Sequence, residues 1–216
     1  MYMKINSTET TFQSRNQTIR FADDIARRVN QCYPRVSASN FSDMKNIDYF
    51  KRMEINLTGK LSDMREDKLD KLFKAKTLKE MLLAIVEPIK ESKVGNCGES
   101  AELSAIAAKA NGIKDCYIVN IKGEYDNDLD HMVLYVNDKK PYIIDAWLGF
   151  ADYVPNAVNR YKSEFSRHFD KDSLNYKFVF AQKEDGYDYF LDYKFSDNNV
   201  ALLRRLFPEL VIKKSS

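Results

Sequence analysis

Three residues in the middle of the chain have the types and the order that thiol chemistry requires: Cys97, then His131, then Asp145. Cys97 sits in Val94-Gly-Asn-Cys-Gly-Glu99, a polar turn that runs into the small-residue segment 100–110. That segment reads as a close-packing helix, which puts Cys97 at a helix N-terminus, where partial positive charge favours a thiolate. Gly95 and Gly98 on either side are expected to allow a tight backbone and to leave room for a substrate. His131 follows 34 positions later and opens an apolar run. An imidazole there is placed to take the thiol proton and to return it to a leaving amine. Asp145 lies 14 positions further on, across a predicted hairpin, at the level where two antiparallel strands pair. Ile143 and Ile144 precede it, so its carboxylate is expected to be partly buried and in need of a partner.

Each of these residues alone has a plainer reading. A cysteine is usually structural, a histidine at a strand start is often a surface or capping residue, and an aspartate can cap a backbone amide. The combination carries the argument: one helix-start cysteine between glycines, then Cys, His and Asp in order on helix, strand and strand. Cys32 falls on an apolar helical stripe and is expected in the core, and Cys116 falls in a short apolar strand and is expected to be structural. His168, among Ser166, Arg167 and Asp170, reads as a surface helix residue and is the fallback base.

The elements that must position these residues are legible from periodicity. Residues 1–16 are polar and read as a loose arm. Ala22, Ile25, Ala26 and Val29 then recur at helical spacing up to Pro34. A helical pattern is expected over 42–53, and another over 63–74 with Leu69, Leu72 and Phe73 on one face. Thr77 with Glu80 forms a capping box at the start of a further helix, which Pro88 is expected to kink or end. Asn111-Gly112 closes the segment after Cys97 in a left-handed cap. Strands are expected over 117–121, 131–136 and 142–147, the last two joined by a turn at 137–140. A helix over 158–169, a strand around Phe178 and Phe180, and a last helix over 200–207 complete the reading. The chain is thus taken as one domain of α+β class, with a helical part at 17–90, a Cys-His-Asp core at 91–150 and a C-terminal extension at 151–216.

Composition bounds the partners. The 216 residues are 44% hydrophobic, with 13 Phe and 13 Tyr, enough to bury a core. The 34 basic and 32 acidic residues leave a net charge of +2, so there is no electrostatic case for a nucleic-acid or membrane-surface partner. The lysine-rich stretch from Lys60 to Lys79 is interleaved with Asp63, Glu66, Asp67 and Asp70 and reads as a solvated helix face. No apolar run approaches the length of a membrane span, and the first residues hold no apolar signal core. A cytoplasmic fold with free thiols is expected. Three cysteines without finger spacing and two histidines give no metal site and no cofactor.

The motifs Gly95-Asn-Cys-Gly-Glu99, His131-Met-Val-Leu-Tyr-Val136 and Ile143-Ile-Asp-Ala-Trp147 resemble the transglutaminase-like core of the papain-like cysteine enzymes. The match covers about residues 90–150 and resembles most the small bacterial effector members of that superfamily, which leaves secretion by a specialised system into a host cell open. The resemblance implies a helix bearing the nucleophile packed on a small antiparallel sheet, and acyl transfer through a thioester at Cys97. A protein substrate is implied, attacked at a glutamine side chain or a peptide bond. The expected function is a protein-glutamine deamidase or transglutaminase. The alternatives are a cysteine protease or other thiol hydrolase, and a catalytically silent protein-binding module. Typical transglutaminases carry small or aromatic residues after the histidine, where this chain has Met132-Val133. Papain-type proteases carry a glutamine six residues before the cysteine, where this chain has Glu91. Arylamine N-acetyltransferases share the Cys-His-Asp arrangement and a stretch similar to Asp145-Ala-Trp-Leu-Gly-Phe150, but not the Arg-Gly-Gly before the cysteine. Candidates for the oxyanion and substrate site are the Cys97 backbone amide, Asn96, Trp147 (its indole N–H, or a core role instead) and Glu99. Glu99 either favours the helix N-terminus by its charge or opposes the thiolate.

Overall fold

The computed structural model describes residues 8–36, 47–122, 130–166, 179–181 and 199–213. The first helix, α1 (Thr8–Cys32), buries Ala22, Ile25, Ala26 and Val29 completely, as their spacing requires. It begins at Thr8, so the expected loose arm over 1–16 is corrected from that residue onward. A helix already packed over 18–32 extends readily, because each added residue gains a hydrogen bond without a new nucleus. Cys32 is a second correction. It lies at the rim of the core, partly exposed, with Sγ 3.4 Å from the Glu209 carbonyl.

The two helical patterns expected over 42–53 and 63–74 belong to one helix, α2 (Ile47–Lys74), which packs antiparallel to α3 (Leu78–Ser92). Its inward face is Leu61, Met64 and Lys68, with Leu57 and Leu72 at the margin. Leu69 and Phe73 point outward, Phe73 at 87% exposure, against the expected apolar face. The reason is Lys68, only 2% exposed, whose ammonium lies 3.0 Å from both Glu102 carboxylate oxygens. A buried ion pair fixes the rotation of α2, and the stretch expected to be a solvated face turns one lysine into the interior. The Thr77–Glu80 capping box is formed: Glu80 N–H donates to Thr77 Oγ1 at 3.2 Å and Thr77 N–H to Glu80 Oε2 at 2.9 Å. Pro88 does not end α3. It is buried in the penultimate turn, and Lys93 closes the helix in a left-handed conformation (φ 55°).

Helix α4 (Cys97–Ala110) is buried nearly all round, from Glu99 to Ala108. Its alanines let it lie against α1 on one side and a sheet on the other. Asn111 caps it, and Gly112 turns the chain at φ 87°. The sheet is antiparallel, with β1 (Cys116–Lys122), β2 (Asp130–Val136), β3 (Tyr142–Asp145), β4 (Phe150–Tyr153) and β5 (Val179–Ala181) in the order β4-β3-β2-β1-β5. The strand expected over 142–147 stops at Asp145, and a turn over 146–149, with Gly149 at φ 73°, returns the chain as β4. The segment 151–216 is therefore not an appendage. It completes the sheet through β4, covers one sheet face with α5 (Val154–Ser166), and packs α6 (Val200–Leu206) on α4.

Strand alternation divides the core. Ile118, Leu134, Val136, Tyr142 and Ile144 join the large cluster with α1, α3, α4 and α6. Val119, Ile121, Val133, Ile143 and Phe150 join a smaller cluster under Ala157 and Tyr161 of α5. The class is mixed α+β, as expected. Cys116 is buried in β1, as its apolar neighbourhood requires. Phe178 and the fallback base His168 lie outside the described residues. Among the described residues no helix is long and apolar enough to cross a membrane.

Leu103, fully buried at the middle of α4, tests the central place of that helix. Leu103→Ala is expected to lower the unfolding free energy by about 2–5 kcal/mol in urea denaturation, with an unchanged m value.

Candidate active site

The histidine opens β2, where alternation turns His131 and Val133 toward α5. The register Leu134↔Ile144 carries Asp145 to the same face and within reach of the ring. His131 Nε2 lies 2.7 Å from Asp145 Oδ2, and both side chains are essentially buried. The Cys97 side chain is close enough to His131 to help raise its pKa. Cys97 itself is half-buried, at the first position of α4, which lies across the opposite sheet face. Cysteine, histidine and aspartate thus converge at one end of β2 from two sides of the sheet.

Asp145 has three donors. Besides His131, the Tyr161 hydroxyl donates to Oδ2 at 2.9 Å, and the Leu148 amide donates to Oδ1 at 2.9 Å. The second of these bonds closes the turn that holds Trp147, whose ring centroid is 5.1 Å from that of His131. Tyr161 stands edge-on to the imidazole at 5.5 Å. Sequence reasoning missed Tyr161. Helical periodicity places it on α5, but only the packing of α5 on the sheet shows that its hydroxyl meets Asp145.

Burial by itself pushes the His131 pKa down, but the Asp145 charge and hydrogen bond and the Cys97 contact outweigh it and raise it to about 10. The ring is held as imidazolium. The Tyr161 phenol is pushed well above its usual range by burial and by Asp145, so it stays a donor.

Glu99 lies on the flank of α4 that meets Arg65 and Lys68 of α2. Asn96 is the N-cap, with extended backbone, and its N–H donates to Glu99 Oε2 at 2.8 Å. Glu99 is buried and receives a two-pronged bond from Arg65, at 2.8 and 3.2 Å, with the Lys68 ammonium 3.9 Å away. Burial raises its pKa, and Arg65, Lys68 and the Asn96 amide more than reverse this, leaving it below the ordinary carboxylate range. Glu99 therefore caps the helix, and two cations offset its charge beside Cys97. The glycines also do something other than expected. Among the described residues only Gly112 and Gly149 are glycines with positive φ. At Gly95 a Cβ would stand 3.0 Å from Arg35 Cδ and 3.1 Å from Glu99 Cβ, so the vacated space holds those side chains and not a substrate. At Gly98 it would stand 3.2 Å from Met132 Sδ, which packs α4 against β2.

No protein-family model, curated protein or solved structure matches the chain.

The His131 shift has a definite sign. With its folded pKa raised from 6.5 to about 10, protonation of the ring stabilises the fold fully below pH 6.5, and this is lost as pH rises through about 10. In NMR titrations the His131 ring signals are expected to stay at their protonated positions up to about pH 8.5 and to move with a midpoint near 10. Asp145→Asn is expected to shift that midpoint downward, because burial then faces only the Cys97 contact.

Proposed function

We propose that this protein is a thiol acyl-transfer enzyme that acts on protein amides through a thioester at Cys97, as a protein-glutamine deamidase or transglutaminase. The observation that carries this reading is the convergence of half-buried Cys97 on His131, whose Nε2 lies 2.7 Å from buried Asp145. An imidazolium beside a sulfur at a helix N-terminus favours the thiolate. The thiolate attacks the carbonyl carbon of a glutamine side-chain amide, and the Cys97 amide, which opens α4, is the proposed donor to the oxyanion. The C–N bond then breaks, the His131 proton goes to the departing nitrogen, and ammonia leaves a thioester behind. Neutral His131 next accepts a proton from water or a primary amine as that nucleophile attacks the thioester. The products are a glutamate side chain or an isopeptide bond, and the sulfur leaves as thiolate beside the reprotonated His131. Asp145 holds the ring and its charge throughout, with Tyr161 and Leu148 holding Asp145. Peptide-bond cleavage is the less supported outcome of the same chemistry. Glu91, where papain-type proteases carry their glutamine, is exposed on α3 and lies 3.9 Å from Lys71.

The first test is iodoacetamide alkylation of each cysteine, read by mass spectrometry, in the wild type and in His131→Ala. Cys97 is expected to react faster than Cys32 and Cys116 at about pH 6 and to lose that advantage without His131. A Cys97 that follows the profile of Cys32 would sink the thiolate–imidazolium pair and favour a binding module. Ammonia release from glutamine-containing proteins, with no new chain termini, separates the proposal from proteolysis. Tyr161→Phe, which removes one donor from Asp145, is expected to lower turnover by about tenfold with little change in KM.

A further inference from the structure

The residues just ahead of Cys97 are held by an arginine that is remote in sequence. After α1 the chain runs beside the segment that leads into α4. Val36 N–H donates to the Lys93 carbonyl at 2.9 Å, and Gly95 N–H donates to the Val36 carbonyl at 3.2 Å, making a parallel bridge between Val36 and Val94. This bridge delivers the Arg35 side chain into the space that Gly95 leaves open, with its Cδ 3.0 Å from where a Cβ would stand, tighter than ordinary contact. From that point the guanidinium bonds in three directions. Nε and Nη2 donate to Ser100 Oγ at 3.1 and 2.7 Å, and Ser100 Oγ donates to the Asn96 carbonyl at 2.8 Å. Nη1 donates to the Tyr33 carbonyl at 2.8 Å. Nη2 also reaches Asn30 Oδ1 at 3.1 Å, and Asn30 Nδ2 donates to the Ala146 carbonyl at 2.6 Å. Ala146 lies between Asp145 and Trp147.

We infer that Arg35 is a positioning residue that, through Ser100 and Asn30, sets the distance between the nucleophile's helix and the strand end carrying Asp145. This inference rests on the acyl-transfer reading above. Cys97 and the His131–Asp145 pair come from opposite sides of the sheet, and hydrogen bonds at both ends of the Arg35–Asn30 pair connect the backbone on either side of them. A planar fork makes this connection in fixed directions, whereas a lysine ammonium in the same place retains the charge but not the directions. The charge also matters locally, since Glu99 and Asp145 both act on this guanidinium. Arg35→Lys therefore isolates direction from charge. Asn30→Ala leaves the Ser100 and Tyr33 bonds of Arg35 in place and removes the Asn30 bonds to Arg35 and to the Ala146 carbonyl.

The experiment compares Cys97 alkylation by iodoacetamide between about pH 6 and 9.5 in the wild type, Arg35→Lys and Asn30→Ala, with Cys32 as internal reference. Folding is checked by near-ultraviolet circular dichroism. In both variants the Cys97 rate near pH 6 is expected to fall roughly tenfold, while the rate near pH 9.5 stays close to wild type. Wild-type profiles in both folded variants would overturn the inference, and so would an equal loss at every pH, which marks a merely structural role. If Arg35→Lys loses its folded spectrum, Asn30→Ala, a half-buried side chain at the outer end of the link, decides alone. A wild-type Cys97 with no advantage near pH 6 overturns the acyl-transfer reading instead, so the two failures are distinct.

Discussion

The arrangement turns on the Asp145 carboxylate, a negative charge taken almost wholly out of water. Such a charge is tolerated only with good partners, because the interior solvates it poorly. Its three donors come from three places: His131 on β2, Tyr161 on α5 and Leu148 in its own turn. One requirement, to satisfy a buried anion, therefore docks a helix, closes a turn and fixes the histidine ring in a single orientation. The Trp147 position beside His131 follows from the same bond that closes the turn.

A second set of charges, all buried but Arg65, lies along α4 on the flank that faces α2. Glu99 and Glu102 extend from α4, and Arg65 and Lys68 meet them from α2. Burial raises the Glu102 pKa, partly countered by Lys68, while Glu99 is held below the ordinary range. The ion pairs anchor a hairpin of helices that would otherwise touch α4 sparingly. They also decide which side of α2 faces inward, at the expense of Leu69 and Phe73. Near Cys97 they have an electrostatic consequence. The Glu99 carboxylate would oppose a thiolate if it stood alone, but its charge is offset by an arginine and a lysine on the side away from the sheet.

Between these two groups lies a helix that can tolerate both. The alanines of α4 let its axis approach the sheet and α1 closely, and Gly98 makes room for Met132. Its N-terminus emerges where β2 begins. The helix dipole, the imidazolium and the sulfur are then brought together without a residue in left-handed backbone conformation at Cys97 or its neighbours.

Periodicity and motif spacing by themselves determined the α+β class, most elements, the Thr77–Glu80 cap, and the candidacy of Cys97, His131 and Asp145. These are local properties: a 3.6 or 2.0 repeat and turn chemistry are written in neighbouring residues. The hairpin from 137 to 140 even placed Asp145 opposite the right strand, because antiparallel register follows from a short turn. What tertiary structure alone decided depends on residues far apart in the chain. Tyr161, Arg35, Asn30 and Lys68 show no local sign of their roles, since each acquires its partner only when separate elements pack. Cys32 was misjudged because an apolar stripe gives the face of a helix but not how far that face extends under its neighbours. The space beside Gly95 and Gly98 is filled by Arg35, Glu99 and Met132 and not by a substrate, which cannot be judged before the neighbouring side chains are in place.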